Sequence, residues 1–385
     1  MPELPSSRPD SDASTLPSSG PPTIERAVLV CYRLFDVAEE IDLSALLELL
    51  RGKRARRASI ADRNERMFHL SAAPVEVDLG TTRASSELAS LGEVRARAQF
   101  FHYGIVSISF EVALPPRSLD AYAEIAGAVL ESTELTSAAR ALVDDVDAYA
   151  RAAYQRPRRD DDFETFTVFF AEELGGGARA DAILAWDGLG KLLAGETAPG
   201  KLDARQRHEL RDFAYAYLED DLVVIDFNAA LVVEPSGARD IPLLLEFANA
   251  QLLALRNYDR ALDGDMRRIY DELEKLERRK PLRKRRYDEL AHEVIRRSVE
   301  VREFSDLIGN SIKVTGDFYL ARTYRGALRR LRVADWQESI ANKLALASEV
   351  YSLLKGELEH ARSFFLEVLV VLLILLEVVL VFVGH

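Results

Sequence analysis

Five polar residues recur on one stretch at helical spacing, and they form the densest polar pattern in the chain. Glu246, Asn249, Arg256 and Asp263 follow each other by three, seven and seven, and Asp259 stands three after Arg256. Those steps put them near one face of a helix. A carboxylate, an amide and a guanidinium aligned in this way could form a binding surface. They could equally form an internal network of ion pairs and amides, since a helix packed on both sides must satisfy its polar groups. The network is the expectation adopted here, with the helix joined to its own domain or to a neighbouring subunit.

Other chemistry is poorly supported by the residue types. The six histidines never fall at metal-ligand spacing, and Cys31 is the single cysteine, so no metal site is expected. Gly175-Gly176-Gly177 and Gly188-Leu189-Gly190-Lys191 lack the Lys-Ser/Thr ending of a phosphate-binding loop and read as turns. The acidic runs Asp144-Asp145 and Asp160-Asp161-Asp162 read as solvated faces. No serine sits in a nucleophile elbow. Neither a catalytic residue nor a cofactor is assigned.

Two basic clusters could contact phosphates or lipid headgroups: Arg51, Lys53, Arg54, Arg56 and Arg57, and a second group from Arg278 to Arg286 around Pro281. The plainer alternative for both is a solvated loop. A net charge of −13 argues against a general nucleic-acid binder.

The remaining chemically notable group is Glu377, because of where it lies. Residues 364–383 are almost wholly apolar, with Val368 to Leu376 unbroken and Val378 to Val383 resuming after Glu377. As a helix this stretch would be roughly 30 Å long, the thickness of a bilayer core. Some 18 apolar side chains favour insertion by about 5 to 10 kcal/mol, against roughly 3 kcal/mol for a central charge. The stretch is therefore expected to be a transmembrane anchor, with Glu377 pairing to another copy or another protein. Lys355 and Arg362 precede it and no Lys or Arg follows, which is expected to place the bulk of the chain on the cytoplasmic side of a bacterial inner membrane. A single cysteine suits that reducing side.

The positioning elements fall into two groups, and the expected fold class is α+β. Residues 1–22 are rich in Pro, Ser and Asp and read as disordered, without a presequence. Residues 23–238 form an α+β domain. Its strands are expected at 27–32, 75–79, 100–114 (with a bend at Tyr103-Gly104), 163–170, 181–186 and 222–233. Helices are expected from about Phe35 to Leu50 and over 118–154. Residues 239–363 read as long helices, a hairpin plus a stalk. Phe247, Gln251, Leu255, Tyr258, Leu262, Met266 and Ile269 line one face of the first of these. A second helix spans about 286–307. A third runs from about Asp317 into the anchor, with Gly326 and Gly356 as its weak points.

The run Val224 to Pro235, then Leu245 to Leu253, Leu255-Arg256-Asn257-Tyr258-Asp259 and Leu262-Asp263, with the closing Leu366-Glu367 and its apolar tail, resembles the family of mitochondrial proteins named "required for meiotic nuclear division", and within it the bacterial branch. Phe35 to Ile41 and Tyr103-Gly104 are similar to its N-terminal pattern. The resemblance covers most of residues 24–383. It implies an inner-membrane protein that forms large homo-oligomers and supports translation by contact with the ribosome, and it carries over no catalytic residue. The function expected is thus a membrane-tethered, oligomerising scaffold. A ribosome- or RNA-contacting factor, or an enzyme with a pocket in the α+β domain, are the alternatives.

Overall fold

The N-terminal strand lies at the centre of the molecule. The computed structural model describes residues 21–51, 55–58, 73–159, 162–195, 203–277, 296–306 and 318–350, with Ser352 and Val370. In β1 (Thr23–Asp36) nearly every residue after Arg26 is buried. On one side it pairs antiparallel with β6 (Ile105–Leu114), and on the other with β9 (Phe163–Leu174). Successive side chains of a strand point to opposite faces. Leu29, Cys31 and Phe35 therefore enter one core, and Val30, Tyr32 and Leu34 enter another. Because both faces are covered, β1 reads as a continuous apolar run rather than an alternating one.

The sheet continues from β6 through β5 (Val94–Phe100) and β4 (Val75–Thr82) to the edge strand β3 (Ala55–Arg57). Beyond β9 come β12 (Ala229–Val233), β11 (Leu222–Ile225) and the other edge, β10 (Ala214–Tyr215). The β12–β9 pair is parallel, and the remaining pairs are antiparallel. A short β7 (Arg117–Ser118) pairs with the start of β1. β2 (Ala38–Ile41) and β8 (Tyr154–Pro157) form a separate ribbon.

The expected strand over 100–114 is a hairpin that closes at the bend. Gly104 has φ +82, and a Cβ there would lie 1.8 Å from the Ala38 carbonyl oxygen. Only glycine lets this turn press against β2.

One helical layer covers the first face: α1 (Leu43–Leu49), α2 (Ser86–Leu91), α3 (Leu119–Leu130), α4 (Thr133–Ala150), α5 (Ala180–Ala185), α6 (Leu189–Ala194) and α7 (Ala204–Asp212). Asp42, Ser85, Ser118 and Ser132 cap α1 to α4 through side chains that accept from first-turn N–H groups.

The second layer is α8 (Asp240–Glu277), α9 (296–306), α10 (Phe318–Arg330) and α11 (333–350). Phe247, Leu255 and Leu262 of α8 join Val30, Tyr32 and Leu34 in the second core. Gln251, Met266 and Ile269 are buried and Tyr258 packs against the second core, so the expected stripe faces inward. The long helices thus form a layer on the sheet.

Several elements differ from the expectations. Residues 181–185 fall on α5 and Trp186 follows as its C-cap, with Ala180 and Ile183 buried at helical spacing in an alanine-rich run. Strand, not helix, follows Phe35, and α1 begins only after its cap at Asp42. The helical stretch 118–154 splits where Ser132 caps α4. The run 222–233 is a hairpin turned at Asp226-Phe227-Asn228, with the Asp226 N–H donating to the Ala229 carbonyl at 2.8 Å. The third long helix breaks at Leu331-Arg332, where Arg332 adopts φ +54.

The molecule is therefore mixed α/β, with an N-terminal sheet domain followed by C-terminal helices. Among the described residues, no helix is long and apolar enough to cross a membrane. The expected N-terminal tail (except residues 21 and 22), the basic tip at 278–286 and the anchor at 364–383 (except Val370) lie outside the described residues.

Candidate functional site

The sheet face beneath the start of α8 is polar where the rest of that face is apolar. On β5, Arg97 and Gln99 point towards α8, while Ala96, Ala98 and Phe100 enter the first core. Strand register aligns Tyr32 with Ser109 and Ser109 with Arg97, in one row across β1, β6 and β5. The next row holds Leu34, Ser107, Gln99 and Glu76. Four strands thereby present a patch of hydroxyls, amide and charge to the underside of α8.

Four charged groups in this patch form a chain. Arg56 of β3 reaches Glu76 at 2.9 Å, Glu76 reaches Arg97 at 3.0 Å, and Arg97 also pairs with Glu111. Burial disfavours the charged Arg97, but Glu111, Glu246, Tyr32 and Glu76 around it outweigh that and hold its pKa above the usual value. Glu246 closes the patch from above. It is 2% exposed, with Arg97 and the Ser107 hydroxyl beside its carboxyl. Desolvation pushes its carboxyl up to about 7, against the pull of Arg97. The Tyr32 hydroxyl donates to the Pro242 carbonyl at 3.3 Å in the first turn of α8. Burial, reinforced by Glu246, raises its pKa well above the ordinary value.

These groups border a cavity of about 200 Å³ that opens between β3 and the start of α8. Arg56 and Arg239 stand at the opening, while the Arg57 guanidinium turns to the other face of the sheet and donates to the Ala73 carbonyl at 3.2 Å and the Ser44 hydroxyl at 3.4 Å. Arg239 lies 4.1 Å above the Phe170 ring and reaches Glu172 at 3.5 Å. A carboxyl that titrates near neutrality can act as a proton donor or acceptor towards whatever enters. Among the described residues that line the cavity, no nucleophile stands beside an orienting base.

The five helix residues singled out by spacing separate into two groups. Glu246 and Asn249 face the interior, where Asn249 is fully buried and donates to the Leu245 carbonyl at 2.8 Å. The other three tie α8 to its neighbours. Arg256 pairs with Glu164 of β9 and lies 5.9 Å from the Trp336 ring of α11. Lys343 of α11 bridges Asp259 at 2.8 Å and Asp263 at 2.5 Å. Glu377 lies outside the described residues.

Sequence spacing missed Arg97, Gln99, Glu76 and Tyr32 as members of the same patch. Alternation within Val94-Arg95-Ala96-Arg97-Ala98-Gln99 signals a face, but only register shows which neighbours share it. A second polar knot was also missed. Asp36, 1% exposed, receives Arg158 at 2.6 Å and the Asn257 amide at 2.5 Å.

Of the other motifs, Gly175–Gly177 forms a short 3-10 turn and Gly188 precedes α6. Asp144 pairs with Arg159, and Asp162 with Arg260. Arg51 pairs with Glu48 at 2.5 Å, while Lys53 and Arg54 lie outside the described residues. Among the described residues, no group of three or more His, Cys, Asp or Glu could hold a metal ion.

Comparison with known proteins places the strands of the patch, though not Glu246, inside a matched region. The family model described as "Uncharacterized protein MJ0711, N-terminal domain" matches residues 26–239. That span runs from β1 to the residue before α8 and contains every strand of the patch. The uncharacterized protein MJ0711 of Methanocaldococcus jannaschii is 24% identical over 176 residues, 45% of this chain and 52% of that protein. The chain thus spans about half the length of the curated relative it matches. No solved structure matches. With more than half of its residues under that one model, the chain belongs to the family described as "Uncharacterized protein MJ0711, N-terminal domain".

Proposed function

We propose that the protein is a membrane-tethered scaffold that holds its α/β body at the cytoplasmic face of a bilayer and assembles with further copies of itself. The observation that carries this reading is the apolar sequence 364–383, interrupted centrally only by Glu377. Burying some 18 apolar side chains in hydrocarbon outweighs one central carboxyl by several kcal/mol, on the order of 2 to 7. Only residues 351–363 stand between this segment and α11, which packs on the body through Ile340 and Leu344.

The packing of the long helices directs where self-assembly would occur. Arg256, Asp259 and Asp263 find their partners within the chain, and the apolar stripe of α8 is spent on the sheet. A seam between copies therefore falls to the tail, where Glu377 needs a partner in hydrocarbon. The resemblance to the meiotic nuclear division family points the same way.

Removing residues 364–385 tests both halves of the reading. The shortened chain is expected in the soluble fraction after a high-salt wash, and as a smaller particle than the detergent-extracted parent by light scattering. Sedimentation with membranes would overturn the tether, and an unchanged oligomer would overturn assembly through the tail.

A further inference from the structure

We infer that a strip along α10 and the β10–β11 loop pairs the bodies of two copies about a two-fold axis. This contact is separate from the tail and does not depend on it. The middle of the strip is apolar. Phe318, which opens α10, is 72% exposed and Tyr217 in the loop is 71% exposed, the highest values for large hydrophobic side chains among the described residues. The Tyr217 ring lies 5.9 Å from that of Tyr319, the residue after Phe318, and Leu218 beside it is also exposed. Asp221 fixes this loop, its carboxylate accepting from the N–H groups of Tyr217 at 2.6 Å and Leu218 at 3.0 Å. A loop already held in place loses little freedom on binding.

The two flanks of this middle carry opposite charge. Arg322, Arg325 and Arg329 follow Phe318 by four, seven and eleven residues, which puts all four on one face of α10. The three arginines are exposed, and among the described residues none of them pairs with a carboxylate. Arg322 lies 5.5 Å over the Tyr215 ring, while Arg329 lies 4.7 Å over Phe213 and donates to the Asp212 carbonyl at 2.8 Å. On the far side of Tyr217 the loop continues into Glu219 and Asp220, both exposed. Glu219 meets Arg179 in a surface pair at 2.7 Å, which water weakens. Contacts with β10 fix the order of these groups. Phe213 meets Arg329, Tyr215 meets Arg322 and Tyr217 meets Tyr319, so strand and helix run in opposite directions. The strip therefore reads basic, apolar, acidic from one end to the other.

Such a strip is complementary to itself. Turned about an axis at Phe318 and Tyr217, the arginines of one copy meet Glu219 and Asp220 of the other. The exchange is reciprocal, as a two-fold contact requires. The reach of the two flanks also matches. Arg322 and Arg325 stand roughly 6 and 10 Å along the helix from Phe318, and Asp220 lies up to about 10 Å from Tyr217. Arginine and tyrosine are the residue types enriched in such contacts. A nucleic acid on the arginines would meet the two carboxylates, and a purely acidic partner would leave them unmatched. A second copy satisfies both flanks at once.

The experiment is oxidative cross-linking of the full-length chain in detergent, with a thiol introduced by Tyr217→Cys, the native Cys31 being buried. A residue on the axis faces its own counterpart, so a disulfide-linked dimer is expected. Leu49→Cys, exposed on α1, should give none. Added to Tyr217→Cys, the pair Arg322→Glu and Arg325→Glu should abolish the dimer, and so should the pair Glu219→Lys and Asp220→Lys. All four together exchange the flanks and should restore it. These positions lie at the surface, so the fold is not at stake. No dimer with Tyr217→Cys, equal cross-linking with Leu49→Cys, or no recovery when the flanks are exchanged would overturn the inference. So would binding of oligouridylate by the same arginines in place of the dimer. Cross-linking reads this contact alone and removal of the tail reads the other, so either can fail without the other.

Discussion

Tyr215 fills the space that a side chain at position 326 would need. A Cβ on Gly326 would stand 2.2 Å from both Cζ and the hydroxyl oxygen of Tyr215. The glycine in α10 is therefore a docking point for the edge strand β10, where Tyr324 and Ala327 are also fully buried. In an exposed helix, Gly→Ala adds about 1 kcal/mol of stability. Here Gly326→Ala is expected to lower it by about 1 to 3 kcal/mol, because the Tyr215 ring must be displaced. Urea denaturation checks this, and adding Tyr215→Leu should recover most of the loss. Parental stability in Gly326→Ala alone would contradict the account.

A buried ion pair fastens α9 to α8. Asp265, 1% exposed, meets Arg297 at 2.7 Å and also engages Arg268. Asp265→Ala takes the nearest carboxylate from Arg297, which is 8% exposed, and is expected to destabilise by about 3 to 5 kcal/mol. Replacing both as Asp265→Leu with Arg297→Met should be far milder, within about 1 to 2 kcal/mol of the parent. Equal losses in the single and double variants would show that the pair itself, and not the burial of an uncompensated charge, carries the stability.

Two buried groups make opposite contributions to pH dependence. Glu246 has its carboxyl raised from 4.5 to about 7 by desolvation, so its stabilising contribution is full below 4.5 and is lost as pH rises through about 7. His102 is lowered from 6.5 to about 4 by burial, so its contribution is full above 6.5 and is lost as pH falls through about 4. Each shift corresponds to about 3 kcal/mol. The parent curve should be nearly flat between pH 5 and 7 with respect to these two. Relative to the parent, Glu246→Leu should gain stability as pH rises, and His102→Gln as pH falls. Variant curves parallel to the parent's would remove both groups from the balance.

Cys31 should behave as an inert thiol. It is fully buried on β1, and desolvation raises its pKa to about 11 despite the nearby Arg33. The native chain is expected to give no reaction with a disulfide reagent at pH 8, and one equivalent in guanidinium chloride. Rapid reaction in the native state would mean that the centre of the sheet opens.

Local order was legible wherever one element carried its own signal. The stripe Phe247, Gln251, Leu255, Tyr258, Leu262 declares a helix face by its spacing, and the structure buries it. The glycine bend at Gly104 is equally local. What escaped depends on partners distant in the chain. Arg97, Ser109 and Tyr32 share a row only because β5, β6 and β1 pair in that register. Arg332 ends α10 without a glycine or proline to announce it. Asp226-Phe227-Asn228 turns a hairpin so short that Leu222 to Val233 scans as one strand. For the polar patch under α8, sequence offered Glu246 alone, and the floor beneath it came from register.

The central place of β1 has a consequence for the order of synthesis. Its neighbours β6 and β9 are translated roughly 70 to 150 residues later, and contacts of such separation form slowly. Even when β9 has paired, Val30, Tyr32 and Leu34 face outward until α8 arrives after residue 239. A nascent chain at that length holds a finished sheet with one apolar face bare. The family-matched span 26–239 made by itself would be in the same state, and exposed faces of that kind aggregate. The C-terminal helices thus serve as the molecule's own late-arriving chaperone.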